Sequence, residues 1–271
     1  MLISRVSKLI ISLLKILVLL LIILSITSAL VPQVRSAFKT TAFILQVIES
    51  PVKPLDFLME DPIREEVRFP QSSGQGLADL YRPSRIGKHS AVLLFLGVNP
   101  AGRNDERVVN LAESLTKSGM VVMIPWSQNM TEYRIDPKET DNLVSAYKYL
   151  LDSTYVDEER VGIAGFCVGA SLSAVAAVNP AIRDDVKFVS FFGGYFDAKD
   201  LIISIASQTR YGTYGQQKWE PSQQTLKTFR EHLISSLESE NDKYINMIYD
   251  MSNNKRQSYF KFLQISNYFM I

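Results

Sequence analysis

Cysteine is almost absent. Cys167 is the only one among 271 residues, so the chain forms no internal disulfide and no cysteine-based metal site. Histidine is nearly as scarce. His89 and His232 are the only two, and any hydrolytic mechanism that needs an imidazole base has to use one of them. Charge of one sign is not in excess either. The 29 Lys and Arg residues balance 28 Asp and Glu, which leaves no basic footprint for a nucleic acid, and none is expected as a partner. No metal or cofactor is expected.

Long apolar runs, by contrast, are present. From Leu9 to Val31 the only charged residue is Lys15. A helix of about 20 apolar residues crosses a bilayer core, so this stretch reads as a membrane anchor if Lys15 snorkels to the head groups. Two other readings stay open. One is a cleaved signal peptide with its apolar region at Ile16 to Ile26 and small residues at Thr27 and Ala29. The other is a buried helix of the globular body. Arg5, Lys8 and Lys15 at the start of the run favour a single-pass protein with its body outside the cytoplasm, or a secreted one after cleavage. Membrane lipid is then a partner through the N-terminal helix. Residues 36–62 read as a juxtamembrane connector in which Pro51, Pro54 and Pro62 prevent any long helix.

The body alternates strand and helix. Glu65–Phe69 and Leu77–Tyr81 read as short strands around a turn-prone Ser/Gly segment. Ala91–Leu96, Met120–Ile124, Val161–Phe166 and Val186–Phe192 are continuous apolar runs, the pattern of strands covered on both faces. Helical spacing separates them at Asn104–Ser118, from Asp136 onward, and at Val168–Val178. Asp136 and Glu139 have the spacing of a capping box. The alternation predicts βαβ units and a mostly parallel sheet with helices on both faces.

The sharpest motif is Gly165-Phe166-Cys167-Val168-Gly169, set between a buried strand and a small-residue helix. It is the pattern of a nucleophile elbow with Cys in place of Ser. Gly165 and Gly169 let the two backbones approach, and the helix N-terminus behind Cys167 favours a thiolate. Over roughly Val67 to Asp197, including Leu80-Tyr81-Arg82-Pro83 and the elbow, the chain resembles the dienelactone hydrolases, a branch of the α/β-hydrolase superfamily.

That resemblance implies an α/β-hydrolase-like fold for the body, which the apolar run precedes with a transmembrane or signal helix and a helical C-terminal region follows. The chain then divides into an anchor or signal segment (1–35), the connector (36–62), the core (63–211) and a cap-like or truncated C-terminal region (212–271). The resemblance implies Cys167 as nucleophile and the backbone N–H groups of Val98 and Val168 as oxyanion hole. It also implies that Pro125-Trp126-Ser127 flanks the acyl pocket, and that the substrate is a small-molecule ester, lactone or thioester. The family's His-Glu pair at the loop after the first central strand is replaced here by Leu96-Gly97-Val98.

The family also requires an acid and a histidine further on. Asp197 is the candidate acid, although Asp197-Ala198-Lys199-Asp200 reads equally as a helix cap. His232 is the candidate base, although its surroundings read as a surface helix. His89 lies at the end of a strand opposite the elbow. Leu201–Ala206, Thr225–Glu240 and Lys243–Met251 read as helices, and the stretch from Tyr259 to Ile271 is apolar. The pattern is that of a truncated chain, or of a divergent one that keeps the elbow without the triad. Cys167 is then expected to accept an acyl group once, with little turnover. The competing reading is a non-catalytic α/β-hydrolase shell used for binding at a membrane. A serine-type peptidase of the same fold is disfavoured by cysteine at the elbow.

Overall fold

The computed structural model describes residues 2–48, 51–71 and 74–236. The N-terminal apolar run is helical, as α1 (Leu2–Leu30). Pro32, which lacks an N–H and suits a first helical turn, ends it and starts α2 (Pro32–Val47) after an extended Val31. Among the described residues no single helix is long and apolar enough to cross a membrane. The segments Ile11–Thr27 and Pro32–Val47 meet that test only as a pair, bent by 114°.

The connector differs from expectation. Its prolines do not prevent a long helix, because α2 occupies 16 residues before the first of them is reached. Pro54 then opens the short α3 (Pro54–Leu58). Gln46 is buried at the end of α2. Its Nε2 donates to Asp56 Oδ1 at 2.7 Å and its Oε1 accepts from Leu55 N at 3.1 Å. Asp56 in turn accepts from Lys117 Nζ at 2.6 Å. The connector is thus fastened to the body by charge-assisted hydrogen bonds.

The body opens with β1 (Ile63–Gln71) and β2 (Gly74–Arg82), antiparallel from Ile63 opposite Arg82 to Gln71 opposite Gly74. Then follow β3 (His89–Phe95), α4 (Glu106–Lys117), β4 (Met120–Pro125), α5 (Gln128–Thr131), α6 (Glu139–Leu151), β5 (Val156–Phe166), α7 (Val168–Ala177) and β6 (Phe188–Phe192). They form a six-stranded sheet in the order β1-β2-β4-β3-β5-β6. β4, β3, β5 and β6 run parallel, and β2 is antiparallel to β4.

Alternation along β3 divides the core. Ala91, Leu93 and Phe95 pack with Leu143, Tyr147 and Leu150 of α6 and Leu172 of α7. Val92 and Leu94 pack with Val108 and Ala112 of α4 on the other face. Helices therefore cover both faces, which is why these strands read as unbroken apolar runs.

Beyond β6 come α8 (Ala198–Ser207), a hairpin of β7 (Thr209–Gly212) and β8 (Gly215–Lys218), and α9 (Gln223–Ser236). The hairpin and α5 were not anticipated, being too short for a periodicity signal. Nor does the capping box form. Asp136 accepts from Lys138 N, and buried Glu139 instead accepts from Ser127 Oγ and from Asn142 Nδ2. The expected helix at Lys243–Met251 and the apolar stretch from Tyr259 lie outside the described residues.

Candidate active site

Cys167 sits where β5 turns into α7, at φ 55° and ψ −136°. This region is costly for a residue with a side chain, and such strain concentrates at functional turns. Cys167 N donates to Phe192 O at 2.9 Å, and Cys167 O accepts from Ala170 N at 3.0 Å, so both sides of the turn hold the strained residue. Its side chain is exposed at the carboxyl end of the parallel strands, where open α/β sheets place their ligand sites.

The glycines meet the packing requirement. A Cβ on Gly165 would lie 2.7 Å from Ala170 Cα, and one on Gly169 would lie 2.7 Å from the Leu96 carbonyl. The elbow is therefore pressed against the β3–α4 loop. Gly97 of that loop is subject to the same limit, since a Cβ there would lie 2.8 Å from Cys167 Cβ. This accounts for a glycine where the family's His-Glu loop differs.

Val168 is the first residue of α7, and Val98 lies on the neighbouring loop. Both line the cavity into which Cys167 opens. Among the described residues neither amide N–H has an acceptor, the condition for an oxyanion hole.

The β3–α4 loop is anchored from behind. Asp79 of β2 is only 1 % exposed. It accepts from Arg103 Nη2 at 2.7 Å, Trp126 Nε1 at 2.6 Å and Arg64 Nη2 at 3.2 Å. Burial opposes its charge, but the Arg103, Arg64 and Trp126 donors outweigh burial and hold its carboxyl below the usual range. The same network corrects the expectation for Pro125-Trp126-Ser127. That loop does not border the cavity, because Trp126 turns to Asp79 and Ser127 is buried against Glu139.

The cavity has a volume of about 1470 Å³. Its walls come from the β3–α4 loop, α4, the elbow, the Gly193–Asp197 loop, α8, Trp219 and α9. Asp197 lines it, with Oδ1 accepting from Lys199 N at 2.8 Å and Asp200 N at 3.0 Å. This carboxylate serves as the cap of α8.

His232 lines the same cavity and is not on a bare surface helix. It is half-buried, and burial pulls its pKa below the ordinary 6.5. His89 lies at the opposite end of β3 with Nε2 3.0 Å from Arg85 O, as its sequence position implied.

Several residues of the site escaped sequence reading. Gln224 Nε2 donates to Val98 O at 3.0 Å and ties α9 to the β3–α4 loop. Lys227 Nζ stands 4.0 Å from the centre of the Tyr133 ring and fixes the same helix from another side. Ser171 Oγ donates to Tyr195 O and accepts from Tyr195 N, both at 2.8 Å, which locks the loop after β6 to α7. Tyr195 borders the cavity, and burial, followed by the neighbouring Cys167 charge, raises its pKa. No local motif marks any of them, because each contact joins residues far apart in sequence.

Residues 80–241 match the dienelactone hydrolase family. The chain belongs to that family. A Bradyrhizobium protein named "Probable 2-oxo-3-(5-oxofuran-2-ylidene)propanoate lactonase" is 32 % identical over 127 residues, 41 % of this chain and 50 % of that one. Among solved structures, an esterase from the archaeon Pyrobaculum calidifontis is 24 % identical, with a TM-score of 0.41 over 58 % of this chain and 51 % of its own. A thermophilic carboxylesterase cloned from a metagenomic library is 19 % identical, with a TM-score of 0.43 over 66 % and 62 %. This dienelactone hydrolase family member spans about half the length of the curated relative it matches.

Proposed function

We propose that the chain is a cysteine-dependent hydrolase of ester, lactone or thioester bonds. The observation that carries this reading is Cys167 at a strained turn, opening into the cavity that Val98, Val168 and His232 also line. In this reading the Cys167 thiolate attacks the substrate carbonyl carbon and a C–S bond forms. The developing oxyanion accepts from the Val98 and Val168 amides. The carbonyl's bond to its alcohol or thiol breaks, and the leaving group takes a proton from solvent. His232, kept neutral by burial, takes a proton from water and afterwards returns it to solvent. The hydroxide attacks the thioester, the C–S bond breaks, and the acid leaves as the thiolate is restored. Asp197 enters as the cap of one cavity wall, with no proton to move.

This reading revises the expectation of a single acylation. Incubation with 4-nitrophenyl acetate should give continued release of nitrophenol, and Cys167→Ala should abolish it. His232→Asn should still acquire one acetyl group on Cys167, seen by intact mass, and then stop. Equal turnover by Cys167→Ala and the parent chain would refute the nucleophile. Absence of any acetylation would favour a non-catalytic binding shell.

We also propose that α1 attaches the protein to membrane lipid, with the body outside the cytoplasm. Ile11, Leu13, Leu14, Ile16 and Leu19 are all exposed and point to every side of the helix, so apolar surface runs around it and suits hydrocarbon better than water. Full-length protein recovered entirely in the soluble fraction after a carbonate wash of membranes would refute this.

A further inference from the structure

The cavity is larger than a small lactone needs. Pockets for drug-sized ligands span roughly 300–1,000 Å³, and this one is about 1470 Å³. Its chemistry is uneven as well. Its lining includes Leu201, Ile202 and Ile205 of α8, together with Trp219 and Phe229. Leu201 and Ile205 are one helical turn apart and present a continuous apolar strip.

The acidic lining residues are committed to partners. Asp105 is buried, but it accepts from Arg107 N and pairs with the Arg107 guanidinium. Asp197 caps α8 through Lys199 N and Asp200 N. Asp200 and Arg210 are exposed, so Leu201, Ile202 and Ile205 offer an apolar strip among them. A compact lactone would leave most of that strip in contact with water, whereas an aliphatic chain would cover it.

We infer that the substrate is an ester or thioester bearing an aliphatic chain of medium or greater length, held along the α8–Trp219–α9 wall. The inference rests on Cys167 as nucleophile. It adds that binding free energy comes from the chain, because each buried methylene favours the bound state by roughly fourfold.

Two homologous series test it, below their micelle concentrations. One is 4-nitrophenyl acetate, hexanoate and decanoate. The other is S-ethyl, S-hexyl and S-decyl thioacetate. The rate of acyl transfer to Cys167 is followed by intact mass in His232→Asn, which retains the adduct. A rise of roughly threefold to fourfold per methylene over part of either series supports the inference and identifies the arm that lies on the wall. In the series that rises, Ile202→Trp, which fills part of the wall, should reduce the decyl-chain rate more than the rate of the shortest member. Acylation that is flat or declines with length in both series overturns the inference and leaves the cysteine nucleophile standing. No acylation by any member overturns both.

Discussion

Strands β3 and β6 belong to the same parallel sheet, with only β5 between them, and both are apolar sequences. Their surroundings have little in common. Leu93 of β3 has no exposed surface, and every residue from Ala91 to Phe95 is buried. Every residue of β6 is exposed, with Phe192 at 74 %. Among the described residues no strand pairs with the outer edge of β6. Composition therefore did not determine burial; the neighbours did. The same contrast divides the site. The elbow and the β3–α4 loop grow from the packed side of the sheet, while the wall carrying His232 comes from the chain after β6 and is tied back by Gln224 to Val98 and by Lys227 to Tyr133. The packed half should resist perturbation until a buried group is removed. The far half should respond locally, with effects on chemistry more than on folding.

The largest effect is expected at Asp79. Asp79→Leu removes the buried acceptor shared by Arg103, Arg64 and Trp126 and leaves two partly exposed guanidinium groups facing an apolar side chain. Breaking a buried ion network in this way costs about 3–5 kcal/mol. The variant should unfold at markedly lower urea concentration. Asp79→Asn should recover part of the loss, because an amide oxygen still accepts. Equal stability of Asp79→Leu and the parent would mean that the network does not anchor the oxyanion loop.

Next comes the matched pair that tests the strands directly. Leu93→Ala should cost about 2–5 kcal/mol, the usual range for a fully buried leucine. Val189→Ala in β6 should stay within about 0.5 kcal/mol, as exposed positions do. A large loss at Val189, measured by urea unfolding, would show that β6 is covered in solution.

The sequence revealed the packed half well, for reasons this comparison makes plain. Strands buried on both faces leave unbroken apolar runs, and Gly165-Phe166-Cys167-Val168-Gly169 encodes a turn whose sterics allow few alternatives. Val168 follows from the elbow directly, and Val98 from the loop after β3. The far half is carried by contacts such as Gln224 to Val98, separated by 126 positions, and no local periodicity encodes those. His232 illustrates the difference. Its helix was legible, but the cavity that half-buries it is a tertiary product. The connector differs for another reason: α2 ends at Val47, before Pro51 is reached, so its prolines break no helix.

The pH dependence comes next in size. Burial lowers the His232 pKa below 6.5, so the neutral imidazole persists as pH falls past 6.5 and is lost only through the lower folded value. Deacylation should therefore hold its rate to a more acidic pH than a free imidazole would allow. Stability has the matching sign. Between the two pKa values the unfolded chain binds more protons, so stability falls as pH drops below 6.5 and levels off beneath the folded pKa. His232→Asn should remove this component of the acid-side slope. An unchanged slope in unfolding measured across that window would mean that the histidine is solvated.

The smallest effect on stability is expected at Gln224, where it also says most about how the two halves communicate. Its hydrogen bond to Val98 O lies at an exposed position, so Gln224→Ala should lower stability by no more than about 1 kcal/mol. In the proposed mechanism the Val98 N–H donates to the oxyanion; the carbonyl that Gln224 holds belongs to the next peptide unit, so freeing it loosens the backbone on the far side of Val98 and, with it, the placement of that N–H. A donor that must point at a developing charge loses most of its value when misaligned. Acylation of Cys167 should therefore fall several-fold in Gln224→Ala while urea unfolding barely moves. Gln224→Glu, which cannot donate when ionised, should behave like the alanine variant, since what matters is the N–H placed on the carbonyl. If acylation and unfolding change in proportion, or if Gln224→Glu acylates at the parental rate, then α9 shapes the cavity without steadying the oxyanion loop.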